Sequence, residues 1–87
     1  KFEGHYHGVN DTVGFSCRPP MAVAGPADRP IPYPESAGIP PYSAELVTVL
    51  PFNDVEALER GLRENAGELA ALIMEPINYD AGYCAHL

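Results

Sequence analysis

The sequence predicts an α/β protein with a strand–helix–strand unit in its second half. Two apolar runs, residues 46–50 and 69–74, flank a stretch of helical periodicity. The second run contains no polar residue, which is typical of a strand covered on both faces of a parallel sheet. If the two strands are parallel, the helix between them forms a right-handed crossover.

Length and charge restrict the classes of protein and partner. The 87 residues suffice for one small domain, and 46% of them are hydrophobic, as in globular proteins. The net charge of -7 disfavours nucleic acids and anionic membranes, which need clustered Lys and Arg. No apolar run approaches the length of a membrane span. The start at Lys1, without a methionine or a signal peptide, predicts a piece of a longer chain.

The cysteines and histidines form no pattern that is typical of a disulfide framework or a metal site. Cys17 and Cys84 are too few for a disulfide framework, so we expect reduced thiols and a cytoplasmic protein, with a single bridge between the two as the alternative. His5 and His7 could begin a zinc site, but their possible co-ligands, both cysteines and His86, have no regular spacing. We therefore predict no metal site, and zinc stays the less favoured interpretation.

The first 16 residues begin with KFEGHYHG, a pattern typical of a strand end that leads into a loop. Its glycines allow the backbone to approach a ligand closely. The flat ring of Tyr6 can stack on a planar ligand, or it can be a core aromatic. Residues 9–16 could hold a short helix capped by Asn10 or Asp11.

Residues 17–44 form a proline-rich segment, in which eight of the ten prolines lie between Pro19 and Pro41. Proline removes backbone donors and extends the residue before it, so we predict an irregular loop. Loops of this length usually serve function, here at an active site or a subunit interface. The alternative is a free-standing acidic interaction module without catalytic activity, with this loop as its contact surface.

The helix of the unit has recognisable start and stop signals. Pro51 ends the first strand, and Asn53 and Glu56 form a capping box that starts a helix over residues 53–66. Gly67 supplies the left-handed residue that ends this helix. The second strand follows directly, so the unit extends over residues 45–83.

The end of the second strand carries the main functional candidates. Pro76 cannot donate to a sheet, so the strand ends at Glu75. Ligands of open α/β sheets bind beyond the carboxyl ends of the strands. Glu75 and the loop residues Asn78, Tyr79 and Asp80 therefore lie at a predicted site, although a solvated strand terminus is an equal alternative.

Three segments, KFEGHYHG, LPFNDVEAL and ELAALIMEPINYDAG, resemble in order and spacing the central part of class III pyridoxal-phosphate aminotransferases. The first looks most like the glutamate-1-semialdehyde aminomutase and β-amino-acid aminotransferase branches. The matches cover residues 1–8 and 45–82. The resemblance implies that residues 1–87 are part of the large cofactor-binding domain of a fold-type I enzyme, with a mostly parallel sheet. It also implies a homodimer with active sites at the subunit interface.

The resemblance assigns a set of cofactor-binding residues. Tyr6 falls where the family stacks an aromatic ring on pyridoxal 5'-phosphate, and His7 and Gly8 complete that motif. Glu75 matches the family's strand-end carboxylate beside the cofactor. Asp80 falls where relatives carry a glutamate or asparagine that reaches the cofactor or gates an arginine.

The resemblance also implies that the reactive groups lie elsewhere. The family's cofactor-binding lysine and the aspartate beside the pyridinium fall downstream of residue 87, and Lys1 precedes the stacking tyrosine. We expect the parent enzyme to move an amino group between a small-molecule donor and a keto acid or aldehyde. An aminomutase, epimerase or racemase would carry the same motifs. We assign no catalytic residue to the 87-residue chain and predict that it is inactive alone.

Overall fold

The main regular element of the chain is a ten-residue helix, α1, over Val55–Glu64. The structure is a computed structural model, which describes residues 1–80 and the backbone of residues 83 and 84. The carboxylate of Asp54 accepts a hydrogen bond from the Ala57 amide at 2.9 Å and caps the helix. The predicted helix is therefore present, but the predicted cap was wrong. Asn53 has a φ of 59° and forms the turn before the helix, while Asp54 has the extended backbone that a cap requires.

A close contact holds α1 against the core. A Cβ atom added to Gly61 would lie 2.7 Å from a methyl carbon of Leu50, so the helix approaches at a distance that only glycine permits. Ala57 is buried on the same element. The buried apolar residues of the described chain are Phe2, Phe15, Ala24, Val49, Leu50 and Ala57.

The first predicted strand is shorter than expected. Its first residue, Leu46, ends a 3-10 helix over Pro41–Leu46, and the chain becomes extended at Val47. Leu50 then forms a parallel bridge with Phe2. The prediction of a strand over residues 46–50 is thus corrected to an extended segment with one bridge, because proline at the start of the 3-10 helix favours a helical turn there.

The second predicted strand, residues 69–74, is not assigned as a strand in the described part of the chain. Leu69, Leu72 and Ile73 are exposed rather than covered on both faces. A strand is defined by hydrogen bonds to a neighbouring backbone, and this run lies along an open groove. Beyond Pro76, the short strands β1, Ile77–Asn78, and β2, Tyr83–Cys84, pair antiparallel.

The proline-rich segment folds back over the rest of the chain. Phe15 and Pro34 form an antiparallel bridge, and the Ser16 amide donates to the Tyr33 carbonyl at 2.7 Å. Arg29 makes a two-bond ion pair with Glu64 of α1, with its shorter contact at 2.7 Å. These contacts hold the middle of the segment against the start of the chain and against α1, and its last residues enter the 3-10 helix over Pro41–Leu46.

The prediction for residues 9–16 is corrected by the structure. Residues 9–16 form a turn instead of the possible short helix, because the Asn10 side chain accepts hydrogen bonds from the Thr12 and Val13 amides. No described group of three or more His, Cys, Asp or Glu side chains is placed to hold a metal ion. Among the same residues, no helix is long and apolar enough to cross a membrane.

Candidate functional site

The carboxylate of Glu75 joins the N-terminal motif to the end of the second apolar run. Its Oε2 atom accepts hydrogen bonds from the Tyr6 amide at 3.4 Å and from Nδ2 of Asn78 at 2.9 Å. The Glu75 amide donates in turn to Nδ1 of His5 at 2.9 Å. Two segments about 70 positions apart in the sequence therefore meet at one carboxylate.

Asn78 connects the Glu75 carboxylate to the N-terminal segment through two hydrogen bonds of its side chain. It is buried, and its Nδ2 also donates to the Gly4 carbonyl at 2.7 Å. Gly4 has a φ of 83°, a backbone conformation that glycine adopts at little cost. From the sequence, Asn78 was identified only as a residue of the loop after the second apolar run. The one feature that could have indicated its role is its position two residues after the Glu75-Pro76 pair.

His5 is a site residue that the sequence suggested only as a metal ligand. Its side chain is fully buried, and its ring lies 4.3 Å from the ring of Phe52. Because Nδ1 accepts a hydrogen bond from Glu75, the neutral ring carries its proton on Nε2. Burial lowers the pKa of His5 and favours this neutral form, although the nearby Glu75 carboxylate acts in the opposite direction.

Tyr6 follows His5 and points away from the core. Its side chain is 53% exposed, although its backbone amide is bound to Glu75. It lines a cavity of about 320 Å³ whose other walls include Gly8, Cys17 and Ile39. An exposed ring on a fixed backbone beside a cavity can serve as a stacking surface.

His7 and Gly8 shape the turn after Tyr6. Gly8 has a φ of 89°, and the His7 carbonyl accepts a hydrogen bond from Nδ2 of Asn10 at 3.2 Å. Within the described chain, Nε2 of His7 is buried and has no hydrogen-bond partner. Burial lowers the pKa of His7, so its neutral form is favoured. His7 thus contributes shape and an unused polar atom to this turn.

Asp80 does not join the Glu75 cluster through any described contact. Its Oδ1 accepts a hydrogen bond from the guanidinium of Arg18 at 2.6 Å. This ion pair is the strongest reason for the raised pKa of Arg18. Asp80 therefore ties the loop after β1 to the start of the proline-rich segment.

Lys1, the one lysine of the sequence, is bound inside the protein. Its Nζ donates to the His5 carbonyl at 2.7 Å and also to the Phe15 carbonyl. Burial lowers the pKa of its side chain, and the Cys17 sulfur lies 3.9 Å from Nζ. These contacts hold the Lys1 amine in the protein interior, and Lys1 does not line the cavity beside Tyr6.

Comparison with known sequences relates the chain to a group of enzymes. It is 44% identical over 82 residues, 94% of its length, to a glutamate-1-semialdehyde 2,1-aminomutase from Ignicoccus hospitalis. It is 42% identical over 82 residues to a protein of the same name from Aquifex aeolicus. The chain spans 18% of the length of each of these relatives. A scan against protein-family models finds no match.

Comparison with solved structures also relates the chain to an enzyme that transfers amino groups. The fold is similar to the crystal structure of an omega-transaminase from Sphaerobacter thermophilus, with a TM-score of 0.84 and 33% sequence identity. The similarity covers 97% of this chain and 19% of the transaminase. At the level of fold class, the predicted relationship to transaminases is confirmed. The comparisons support the predicted relationship: nearly the whole chain is similar to a segment, about a fifth of the full length, of glutamate-1-semialdehyde aminomutases and an omega-transaminase, enzymes of the class III aminotransferase family.

Proposed function

We propose that this chain supplies part of the cofactor-binding wall of an enzyme that transfers amino groups with pyridoxal 5'-phosphate. The parent would act on a small amino acid or amine and a keto acid or aldehyde, as a homodimer. The relatives named as an aminomutase and a transaminase support this reaction class. The observation that carries the proposal is the Glu75 carboxylate, which holds the Tyr6 backbone beside a cavity.

Tyr6 would be the stacking surface for the cofactor ring. The residues fit such a group, because the exposed tyrosine ring lines the cavity while its backbone amide is bound to Oε2 of Glu75 at 3.4 Å. A planar heteroaromatic ring gains stacking energy from an offset aromatic partner. Gly8, at the left-handed turn behind Tyr6, keeps the backbone free of a Cβ at the cavity wall.

Glu75 would position the site and would not transfer protons. Its Oε2 atom accepts two hydrogen bonds, from the Tyr6 amide and from Nδ2 of Asn78, and these fix the position of the carboxylate. The cofactor, when bound, supplies the electron-accepting ring of the reaction. What this chain adds is a fixed orientation for Tyr6 and a negative charge at the edge of the site.

His7 and Asp80 would shape the border of the same site. His7 would shape the turn directly after Tyr6, and its buried Nε2 atom has no hydrogen-bond partner in the described part of the chain. Asp80 would act through Arg18, holding that guanidinium at the start of the proline-rich segment. We propose that this segment covers the site or meets a second subunit.

The chain alone would not perform the reaction. A cofactor-bound lysine is needed to hold the cofactor and to move protons, and Lys1 is bound by carbonyl oxygens in the interior. Residues 1–87 would therefore act as a part of the large domain, with the nucleophile provided by another part of the parent.

A graft tests the proposed function. The aligned segment of the Ignicoccus hospitalis aminomutase is replaced by the matching residues of this chain, and binding of pyridoxal phosphate is measured by absorbance and by equilibrium dialysis. We expect a folded protein that binds the cofactor and retains the host's reaction. A folded graft that no longer binds the cofactor would contradict the proposal.

A further inference from the structure

The side chains of Lys1 and Cys17 form a pair of nucleophilic groups for which the proposed amino-group transfer has no use. Nζ of Lys1 lies 3.9 Å from Sγ of Cys17. Lys1 is the one lysine of the sequence and is buried, whereas Cys17 is partly exposed. The two residues are 16 positions apart in the sequence, so it is the fold that brings them into contact.

Two backbone carbonyl groups hold the amine and the sulfur next to each other. The carbonyl of His5 accepts a hydrogen bond from Nζ of Lys1 at 2.7 Å and another from Sγ of Cys17 at 3.3 Å. The carbonyl of Phe15 also accepts hydrogen bonds from both groups. Because Nζ and Sγ donate to the same two oxygens, their separation is fixed by the backbone.

This arrangement directs the free position of the amine toward the sulfur. A neutral lysine amine has two N–H groups and one lone pair, and the carbonyls of His5 and Phe15 accept from the two N–H groups. The sulfur of Cys17 is the third described polar neighbour of Nζ. Burial lowers the pKa of Lys1, although the nearby Cys17 and Glu35 act in the opposite direction, so the neutral amine is favoured relative to an exposed lysine.

Cys17 connects this pair to the cavity beside Tyr6. It lines that cavity, which has a volume of about 320 Å³, and Lys1 does not. The backbone amide of Cys17 donates to Oε1 of Glu35 at 2.6 Å, which fixes the residue in the cavity wall. A small oxidant can therefore reach the sulfur from the cavity, while the Lys1 amine is bound in the interior beside it.

We propose that Cys17 and Lys1 form an oxidant-sensitive modification site, at which a hydroperoxide joins Sγ to Nζ in a covalent sulfenamide bond. The proposal depends on the contacts of these two side chains and not on the cofactor, so it can fail while the proposed function holds. The bonded sulfur would lie closer to Nζ than the 3.9 Å of the reduced pair, and the wall of the cavity beside Tyr6 would change with it.

The bond would form in two steps. In the first, the Lys1 amine takes the thiol proton, the thiolate attacks one oxygen of hydrogen peroxide, the O–O bond breaks, and the proton passes to the leaving hydroxide. The products are a sulfenic acid and water. Burial raises the pKa of Cys17 and keeps the thiol protonated, so a base in contact with it is needed.

In the second step, the Lys1 amine attacks the sulfur of the sulfenic acid. The S–N bond forms, the S–O bond breaks, and the hydroxyl group leaves as water with one proton of the amine. Over both steps the sulfur of Cys17 is oxidised, and one hydrogen peroxide is reduced to two molecules of water.

The test uses the 87-residue chain with Cys84→Ser, so that no disulfide can form within the chain. The protein is treated with hydrogen peroxide in buffer or in urea and is cleaved after glutamate, and its peptides are identified by mass spectrometry. We expect the peptide that carries Lys1 to be joined to the peptide that carries Cys17, with a mass about 2 Da lower for the two hydrogens lost. The joined product should be about tenfold or more abundant in buffer than in urea, because only the fold holds the two groups in contact.

Lys1→Arg, made in the same Cys84→Ser chain, is the matched control. Arginine can donate to the same carbonyl oxygens and keeps the α-amine of residue 1, but its guanidinium stays protonated and does not attack the sulfur. The joined product should be absent from this variant, with Cys17 oxidised to a sulfenic or sulfinic acid instead.

Three results would overturn the proposal. The first is a joined product of equal yield in urea or in the Lys1→Arg variant. The second is oxidation of Cys17 in the Cys84→Ser chain without attachment to Lys1. The third is a Cys17 that stays unmodified in buffer at a peroxide concentration that oxidises it in urea.

Discussion

Nδ1 of His5 accepts a hydrogen bond from the amide of Glu75 at 2.9 Å, across 70 positions of sequence. The bond connects a fully buried ring to the residue whose carboxylate holds the Tyr6 amide. A buried imidazole thus determines where the site's carboxylate lies. The consequences are to be measured in the graft described above.

His5→Phe should destabilise the protein by about 1–3 kcal/mol. The phenyl ring can fill the space near Phe2 and Phe52, but the Glu75 amide loses its acceptor in a partly buried place. The free energy of unfolding in urea measures the effect. His7→Phe is the control, because no side-chain hydrogen bond of His7 is present to be lost in the described chain. Equal losses from the two variants would contradict the role of the His5 bond.

Stability should decrease as the pH falls through the ordinary histidine range. Burial lowers the pKa of His5 and His7 in the folded state, so below pH 6.5 the unfolded chain binds more protons. Their contribution is fully present above 6.5 and is lost as the pH approaches the lower folded values. Urea unfolding at several pH values should show this slope, and the double variant His5→Phe/His7→Phe should show a smaller one. If the double variant shows the same dependence of stability on pH, the two histidines are not its cause.

Gly61→Ala should destabilise the protein even though alanine favours helices by about 1 kcal/mol over glycine. The new Cβ would lie 2.7 Å and 3.0 Å from two methyl carbons of Leu50, which is itself buried. Overpacking of this kind costs about 1–3 kcal/mol. Gly38→Ala is the matched control, since its nearest contact would be 3.6 Å from Oγ of Ser36. A stabilising Gly61→Ala would show that the helix is not packed as described.

Lys1 should resist labelling. When the 87-residue chain is treated with pyridoxal phosphate and then borohydride, peptide mapping should find little modification at Nζ of Lys1 under native conditions. The reason is that carbonyl oxygens of His5 and Phe15 bind this amine in the interior. Labelling should rise in denaturant, which serves as the positive control. Rapid native labelling at Nζ would mean that Lys1 is accessible to the cofactor.

Local signals in the sequence predicted the helix and named candidate site residues, but they did not predict the long-range contacts. The capping pattern near Asn53 placed α1 to within two residues, and only the backbone turn at Asn53 moved the cap to Asp54. The role of His5 depends on burial and on a partner 70 positions away, and no periodic pattern encodes such a contact. Residues 69–74 have the composition of a buried strand, but strand formation also requires an adjacent backbone.

The most direct test of the central claim is the affinity of the graft for pyridoxal phosphate when Tyr6 is changed to leucine. Tyr42→Leu is the control, because Tyr42 is a similarly exposed tyrosine in the 3-10 helix and does not line the cavity beside Tyr6. If Tyr6 stacks on the cofactor, Tyr6→Leu should weaken binding by about tenfold, as expected for a lost aromatic contact, while Tyr42→Leu changes little. Equal affinities in the two variants would contradict the account.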